Sequence, residues 1–371
     1  MGQRLLRLTI QGFKSIELLE QFELGSLTVL IGANGSGKSN FVDFFRLLRI
    51  MAEEGLQAFL QTRGADSLFY LGPKYTREIK ARLEFGQNVY EFDLAPAADG
   101  KLFIASETVR YTGGCWGGGS RVIGRGNPES RLKALKDEPA LIGQGRGMPG
   151  YVYDAVSSWV VYHFHDTSLL APMRREWSTR DYSQLRPEAD NIAAYLLRLR
   201  TAFPDRYNVI RDTVRLIAPF LDDFVLRPDV RGEDEVVRLE WRQKGSDFPF
   251  QPSQFSDGTL RFICLATALQ QVNPPATIVI DEPELGLHPY AISVLADLIN
   301  AATHGTQVIL ATQSPVLLDH FEPESVVVVN RKEGHSSFER LDADALKEWL
   351  EEYSVGELWQ KNVVQGSPSH E

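Results

Sequence analysis

Residues 27–39 read Leu-Thr-Val-Leu-Ile-Gly-Ala-Asn-Gly-Ser-Gly-Lys-Ser, and this stretch decides the fold. Leu27–Ile31 is an almost unbroken run of strand-forming residues, which is typical of a strand buried on both faces. The next eight residues fit the pattern G-x-x-x-x-G-K-[ST]. From Lys38 onward, apolar residues recur at helical spacing. A glycine-rich loop between a buried strand and a helix predicts a phosphate-binding P-loop.

The residue types of this loop suit a nucleoside triphosphate. Gly32, Gly35 and Gly37 let the backbone curl so that successive N–H groups face phosphate oxygens. The helix that follows adds its positive N-terminal end. We expect Lys38 to reach the β- and γ-phosphates and the Ser39 hydroxyl to ligate Mg²⁺. A decayed loop with only a structural role is disfavoured, because this lysine and this serine are both present.

A second motif follows an apolar strand, Thr277–Ile280, which ends in Asp281 and Glu282. The carboxyl end of such a strand lies at the sheet edge where a P-loop also lies. We expect Asp281 to hold Mg²⁺ through water and Glu282 to orient and deprotonate an attacking water. Surface acids that merely close a strand are the alternative, which the upstream P-loop disfavours.

Two further motifs are weaker when taken alone. Ser256–Thr259, Ser-Asp-Gly-Thr, opens a helix, and by itself it is only a good helix N-cap. Gln313 follows the predicted strand Gln307–Ala311, and its amide can donate a hydrogen bond to phosphate but cannot carry charge. Their order relative to the P-loop and the Asp-Glu pair makes both informative.

The composition and net charge limit the classes of protein to which the chain can belong. The 371 residues are 43% hydrophobic and 24% charged, with a formal net charge of −10, which is ordinary for a globular protein and weighs against a whole-surface nucleic-acid binder. No apolar run approaches the roughly 20 residues that span a bilayer. Two cysteines and the lack of a signal-peptide pattern predict a reducing, cytoplasmic location without a membrane partner. Two cationic stretches are interpreted as solvated loop charge, with a phosphate-contacting surface as the alternative: Arg121, Arg125, Arg131, Lys133, Lys136 and Arg146, and Arg174, Arg175, Arg180 and Arg186.

The fold class expected is α/β, with a mostly parallel sheet, helices on both faces, an antiparallel β subdomain and a helical subdomain. The pattern predicts a single head spanning 1–371. Its parts are a P-loop strand and helix (1–50), an antiparallel β meander (76–111), a Gly-rich flexible loop (112–150), a helical and β lobe (186–250), a lobe with Ser256–Thr259 and Asp281 (251–330), and a C-terminal strand, helix and tail (331–371).

These motifs, together with Gly12-Phe13-Lys14-Ser15 and the segment Ile280–Pro289, resemble the ATPase heads of RecF, SMC and OLD proteins. The small bacterial AAA family ATPases are the most similar group. The resemblance implies a P-loop NTPase of ABC-ATPase type that binds ATP and Mg²⁺. It also implies that Ser256 and Gly258 cannot reach the P-loop of their own chain, and instead complete the site of a second copy in an ATP-sandwiched homodimer. The nucleotide-binding residues carried over are Gly32, Asn34, Gly35, Ser36, Gly37, Lys38, Ser39, Asn40, Ser256 and Gly258.

The sequence departs from these families in several places. ABC proteins usually have a histidine where Gln313 stands, which puts the role of this residue and the hydrolysis rate in doubt. No sustained heptads supply SMC-type arms, and the residues after Val329 are too few for the nuclease domain of OLD proteins. Leu341–Leu358 instead predicts an amphipathic helix packed on the core. His165-Asp166 occupies a plausible place for the missing Q-loop glutamine, and His163 with His165 is a weak pattern for a metal.

The expected function is ATP hydrolysis that drives dimer closure, with Glu282, Lys38, Gln313 and Asp281 as the catalytic residues. DNA-related maintenance or anti-phage defence with a partner is the expected setting. The alternative is a nucleotide-sensing regulatory subunit of a separate nuclease or toxin that does not hydrolyse ATP. A small-molecule kinase is disfavoured by Ser256–Thr259. DNA and an effector protein both stay open as partners.

Overall fold

The computed structural model describes residues 3–97, 100–113, 119–140 and 146–364. Its strands are β1 (Arg7–Phe13), β2 (Ile16–Glu23), β3 (Leu27–Ile31), β4 (Ile79–Phe85), β5 (Asn88–Pro96), β6 (Leu102–Tyr111), β7 (Ser120–Gly124), β8 (Val160–Tyr162), β9 (Trp177–Ser178), β10 (Leu221–Val225), β11 (Asp229–Arg231), β12 (Asp234–Val237), β13 (Glu240–Gln243), β14 (Pro249–Phe250), β15 (Thr277–Asp281), β16 (Gln307–Thr312), β17 (Val326–Lys332) and β18 (His335–Arg340).

The α-helices are α1 (Lys38–Ala52), α2 (Leu56–Arg63), α3 (Leu132–Leu135), α4 (Met148–Ser157), α5 (Ile192–Ala202), α6 (Pro204–Ile217), α7 (Asp257–Leu269), α8 (Pro289–Ala302), α9 (Pro315–Leu318), α10 (Lys347–Leu350) and α11 (Val355–Gln360). Among the helices of the described residues, none is long and apolar enough to cross a membrane.

A six-stranded sheet forms the centre of the fold, in the order β18-β17-β3-β16-β15-β8. Strands β17, β3, β16, β15 and β8 run parallel, and β18 is antiparallel to β17. The predicted mostly parallel sheet is therefore confirmed. The register pairs Ile31 with Thr312 and Asp281 with Ala311, so β3, β16 and β15 end at one edge. The loops that follow these three strands must meet there.

Side chains of the central strands alternate between two separate cores. Leu30, Val279 and Ile309 point toward α1, whereas Ile31 and Ile280 point toward the face that α7 and α8 cover. All five are buried. This alternation explains why the strands read as continuous apolar runs, since both faces of a parallel sheet are covered. Helices on both faces are as predicted.

The antiparallel sheet is larger than the meander predicted for 76–111. Its order is β2-β1-β4-β5-β6-β7, so the N-terminal hairpin joins the meander through pairing of Leu8 with Leu83. Helix α1 lies between this sheet and the central one, and Phe44 of α1 packs edge-on against Phe13 of β1. The hairpin belongs to this sheet because its buried positions must cover the outer face of α1.

The prediction of a flexible loop over 112–150 is wrong for the residues that the structure describes there, and 114–118 and 141–145 lie outside those residues. The segment contains β7, α3 and the start of α4. Fully buried Glu107 on β6 anchors it, since its carboxylate accepts hydrogen bonds from the Ser130 hydroxyl and from the Arg131 N–H at 2.9 Å. The many glycines obscured this long-range anchor.

The lobe between β8 and α7 contains helices α5 and α6 and two three-stranded sheets, β10-β13-β14 and β11-β12-β9. The segment Val236–Trp241 lies in two strands, β12 and β13, which belong to different sheets. Val237 pairs with Trp177, whereas Trp241 pairs with Phe224 and Phe250. The Trp241 ring stacks on Phe250 at 4.6 Å and on Phe255, which precedes α7, at 4.8 Å between centroids.

The prediction of one amphipathic helix over Leu341–Leu358 is also wrong. The chain forms two short helices, α10 and α11, and Ser354 begins the second one with a capping box closed by Glu357. Trp349, which lies within this segment, is 46% exposed. The strand predicted within 331–371 corresponds to β18, but its hairpin pairing with β17 was not part of that prediction. It pairs with β17 across the tight turn at Gly334 and contacts β2.

We predict that Glu107→Ala lowers the free energy of unfolding by about 2–4 kcal/mol, because it leaves the Tyr90 hydroxyl, which donates at 2.7 Å, and the Arg131 N–H without their acceptor. Urea denaturation followed by tryptophan fluorescence measures this change. The control is Glu78→Ala, which removes a carboxylate from an exposed pair with Lys80 and should change stability by less than about 0.5 kcal/mol. Equal losses in the two variants would contradict the role of Glu107.

Candidate functional site

The P-loop lies between β3 and α1, as the sequence predicts. Gly35 and Gly37 have φ values of +79° and +116°, in the left-handed region that favours glycine. A Cβ on Gly32 would overlap the carbonyl oxygen of Val329, and one on Gly37 would overlap the Ser336 hydroxyl. These glycines are therefore required by backbone conformation and by close packing against the C-terminal hairpin.

Lys38 is folded back over its own loop. Its Nζ donates to the carbonyl oxygen of Gly32 at 2.6 Å and to that of Ala33 at 3.0 Å. Burial lowers the pKa of Lys38, and the negative charges of Glu282 and Asp281 oppose that shift. The ammonium thus lies inside the loop, with the chain's own carbonyl oxygens as its acceptors.

A serine cluster supports the P-loop from behind. Ser336 on β18 donates its hydroxyl to the carbonyl oxygen of Ser36 at 2.6 Å, and also lies 2.7 Å from the Ser15 hydroxyl. The Asn40 side chain donates to the same Ser15 oxygen at 2.7 Å. The Asn40 amide therefore faces the turn after β1. Sequence reasoning missed Ser336, because it lies 300 residues from Ser36.

Asp281 lies at the end of β15 beside the P-loop and is only 8% exposed. Burial raises its pKa, while a hydrogen bond with the Ser39 side chain lowers it. Its Oδ1 atom is buried and has no hydrogen-bond partner among the described residues. An unsatisfied carboxylate oxygen next to a serine hydroxyl is a donor set that suits Mg²⁺, which prefers oxygen ligands. These two residues fit the predicted metal.

Glu282 and Gln313 meet directly. Glu282 has φ +46°, and its N–H donates to the Ala311 carbonyl at 2.7 Å, so the chain turns sharply at the end of β15. The Gln313 amide Nε2 donates to Glu282 Oε1 at 2.6 Å and to Asn34 Oδ1 at 2.7 Å. Gln313 therefore joins the P-loop to the carboxylate predicted to activate water.

Ser256 and Gly258 lie at the start of α7. The Ser256 hydroxyl caps the helix by accepting from the Thr259 N–H at 3.2 Å, which matches the simple N-cap alternative. A Cβ on Gly258 would overlap the Gly286 carbonyl oxygen. Within the described residues, no hydrogen bond joins Ser256 or Gly258 to the P-loop of the same chain. The structure thus does not bring these two residues to Lys38.

Two buried arginines that sequence reasoning missed hold the start of α7 in place. Arg174 was assigned to an exposed cationic stretch, yet its guanidinium is buried, donates to the carbonyl of Thr167 at 3.0 Å and pairs with Asp257 at 2.9 Å. Arg261 donates to the carbonyls of Phe164 at 2.8 Å and His165 at 3.1 Å. A lone arginine on the apolar face of α7 was the signal available for the second one.

His165 holds the main chain of Asp281, since its Nε2 lies 3.0 Å from the Asp281 carbonyl oxygen. His163 lies with its ring centroid 4.0 Å from that of His165. Burial and the neighbouring imidazole lower the pKa of His163 to about 4. Across the described ranges, no group of three or more His, Cys, Asp or Glu side chains is placed to hold a metal. His165 therefore has a structural role, which is to hold the main chain at Asp281.

A cavity of about 490 Å³ adjoins the P-loop on the side of Asn40. Lys14, Ser15, Arg63 and Tyr70 contribute to its lining. Lys14 forms an ion pair with Asp43 of α1, and within the described ranges no hydrogen bond joins its ammonium to the P-loop backbone. The cavity offers cations, hydroxyls and an aromatic ring beside Asn40, which follows Lys38 by two residues at the end of the loop.

Comparison with known proteins agrees with this geometry. A family model described as "AAA domain, putative AbiEii toxin, Type IV TA system" matches residues 27–103 and 154–319, more than half of the chain. Both ranges contain site residues, the P-loop in the first and Ser256–Gln313 in the second. No curated protein matches the chain.

Solved structures of Smc heads share the fold. The SmcHead bound to the C-winged helix domain of ScpA matches with a TM-score of 0.58 and 16% identity, over 93% of this chain and 99% of that chain. The Smc head domain with an extended coiled coil bound to the C-terminal domain of ScpA, derived from Pyrococcus furiosus, matches with a TM-score of 0.55 and 16% identity, over 94% and 99%. The predicted resemblance to AAA-type and SMC-like heads is confirmed, with an α/β P-loop NTPase-like fold.

We predict that Ser336→Ala weakens nucleotide binding about two- to tenfold, because it removes the hydroxyl that holds the Ser36 carbonyl. Titration with a fluorescent ATP analogue measures Kd. The matched control is Ser337→Ala on the same strand, since the Ser337 hydroxyl is buried without a hydrogen-bond partner among the described residues. Equal Kd values for the two variants would show that the serine cluster does not support binding.

Proposed function

The chain belongs to the AbiEii-type AAA domain family, and from this premise we propose that it binds ATP with Mg²⁺ and hydrolyses it as a dimer closed by ATP. The observation that carries the proposal is the meeting of Lys38, Asp281 and Glu282 at one sheet edge, with Gln313 bridging Glu282 to Asn34. These groups are the parts that phosphoryl transfer to water requires.

The phosphates occupy the P-loop in this proposal. Lys38 exchanges the neutral carbonyls of Gly32 and Ala33 for β- and γ-phosphate oxygens, whose negative charge makes them stronger acceptors for the ammonium. The N–H groups at the start of α1 face the same phosphates. The nucleoside then extends past Asn40 into the cavity lined by Tyr70 and Arg63, which suits a flat, polar ring.

Ser39 and Asp281 are the residues that hold Mg²⁺ in this proposal, and its support is the buried, unpaired Oδ1 of Asp281 beside the Ser39 hydroxyl. When bound, the ion neutralises charge on the β- and γ-phosphate oxygens. His165 keeps the Asp281 backbone in position through the 3.0 Å contact with its carbonyl. The ligand carboxylate is thus fixed before the nucleotide arrives.

Glu282 acts as the general base, taking a proton from the water that attacks the γ-phosphate. Gln313 orients that water and keeps Glu282 directed toward the P-loop, which its 2.6 Å hydrogen bond to Oε1 supports. An amide in this position can donate to phosphate without adding charge. Turnover is therefore expected to be slow and to depend on accurate placement.

A second copy completes the site. Ser256 and Gly258 make no hydrogen bond to their own P-loop within the described residues, and Ser256 is exposed. We place them over the γ-phosphate of a second chain, where the N-terminus of α7 adds a positive end. Loss of that phosphate loosens the dimer, and the difference in free energy between the two states is available to a partner.

The rival function is a nucleotide-sensing regulatory subunit that does not hydrolyse ATP. Gln313 in place of a histidine favours it, because an amide cannot stabilise charge as an imidazolium does. The family description names a toxin of a type IV toxin–antitoxin system, and either function suits a partner in such a system. We do not extend the proposal to DNA, since Arg121, Arg146 and Arg186 all lie in ion pairs with acids.

We predict that Glu282→Gln binds ATP, loses turnover and accumulates as a dimer, because the amide can still hydrogen-bond Gln313 but cannot accept a proton. Phosphate release measures turnover, and size-exclusion chromatography with light scattering measures the assembly. Lys38→Ala is the control, which should lose both binding and dimer. A Glu282→Gln variant that stays monomeric in saturating ATP would overturn the dimer model, and a wild type with no turnover would favour the regulatory function.

A mixing experiment tests the sharing of residues between two copies. Lys38→Ala and Ser256→Arg should each be inactive alone, since one lacks phosphate contacts and the other blocks the cap. An equal mixture should recover turnover, up to about half that of the wild type, because a dimer of one Lys38→Ala chain and one Ser256→Arg chain holds one intact site of two. A mixture as inactive as its components would show that both residues act within one chain.

A further inference from the structure

Glu284 is an acid that none of the steps above uses, although it lies beside the reacting groups. Its Oε1 accepts a hydrogen bond from the Thr312 hydroxyl at 2.6 Å and another from the Gln313 N–H at 3.1 Å. Its Oε2 is buried and has no hydrogen-bond partner among the described residues. One oxygen of a buried carboxylate therefore anchors the chain at the point where β16 ends.

The anchored segment carries Gln313, whose side chain makes both contacts of the bridge. Thr312 is fully buried, and its hydroxyl in turn accepts from the Ser314 N–H at 2.9 Å. The side chain and backbone of residues 312–314 are thus fixed by a short chain of hydrogen bonds that begins at Glu284. A hydrogen-bond network of this kind fixes the direction of the Gln313 amide.

The turn that presents Glu284 is itself held at both ends. The Glu282 N–H donates to the Ala311 carbonyl at 2.7 Å, and the Leu287 N–H donates to the Glu284 carbonyl at 3.0 Å. Arg261 donates to the Leu285 carbonyl. Glu284 therefore has little freedom to move, and it can act as a fixed reference point for the Gln313 loop.

We infer that Glu284 is a positioning residue for the hydrolysis of ATP, acting through Thr312 and the Gln313 backbone to hold the Gln313 amide between Glu282 and Asn34. The inference rests on the proposed function, because it assigns Glu284 a part in turnover. In this inference Glu284 acts only through the loop it holds, because its Oε1 accepts from the Thr312 hydroxyl and from the Gln313 N–H. What it supplies is a hydrogen-bond acceptor, and negative charge is not required.

The first test compares Glu284→Ala with the matched control Glu284→Gln. Glu284→Ala should lower kcat about ten- to a hundredfold, because displacement of a catalytic group by about 1 Å has an effect of this size. KM for ATP should change less than twofold, since the P-loop is intact. Glu284→Gln keeps a carbonyl acceptor for Thr312 and Gln313, and should retain kcat within threefold. A Glu284→Gln variant as slow as Glu284→Ala would overturn the acceptor role.

A double-mutant cycle shows whether Glu284 acts through Gln313. In a Gln313→Ala background, Glu284→Ala should lower kcat no further, whereas independent residues would multiply their effects. Thr312→Val repeats the test without deleting the acid, in case Glu284→Ala does not fold. Multiplied effects in both pairs would overturn the inference while leaving ATP hydrolysis standing.

Amide hydrogen exchange supplies a readout that needs no turnover. Glu284→Ala should speed exchange of the Gln313 amide, because it loses its acceptor. The amides of residues 35–39 should exchange as in the wild type. A wild type without ATPase activity would defeat the proposed function. The exchange result would still show whether Glu284 holds the Gln313 backbone. Unchanged exchange at Gln313 would overturn the inference.

Discussion

The parallel register of three central strands is the constraint on which the site depends. Pairing of Ile31 with Thr312 and of Asp281 with Ala311 carries the ends of β3, β16 and β15 to one edge. A slip of one residue would turn the side chains of a strand to the opposite face and exchange its core contacts. The apolar alternation between two cores therefore fixes the positions of the P-loop, the Asp281 carboxylate and the Gln313 loop relative to one another.

Local sequence was enough to predict the parts that follow buried strands. The P-loop and Asp281 are each encoded in fewer than fifteen consecutive residues, with the strand, the turn and the functional side chain together. The expectation that Gln313 follows its strand holds for the same reason. In each of these segments, a short apolar run predicts both the strand and the edge of the sheet at which that strand ends.

The features that could not be predicted depend on residues that lie far apart in the chain and contact each other only in the fold. Ser336 supports Ser36 across 300 residues, and Arg174 contacts Asp257 across 83. No local pattern distinguishes these side chains from exposed polar residues. Glu107 is similar, because its buried carboxylate organises a glycine-rich segment that composition alone predicts to be a loop. The features that the sequence did not predict therefore depend on long-range polar contacts more than on apolar ones.

The serine cluster behind the P-loop also has a consequence for synthesis. Ser15 and Ser336 lie 321 residues apart, yet both contact the same loop. During synthesis on the ribosome, the P-loop is therefore translated long before Ser336, the residue that supports it from behind. Contacts of such sequence separation form late in folding, because the entropy of closing the intervening chain must be overcome first. We therefore expect the P-loop of the nascent protein to lack its contact with Ser336 until the β17–β18 hairpin has left the ribosomal exit tunnel.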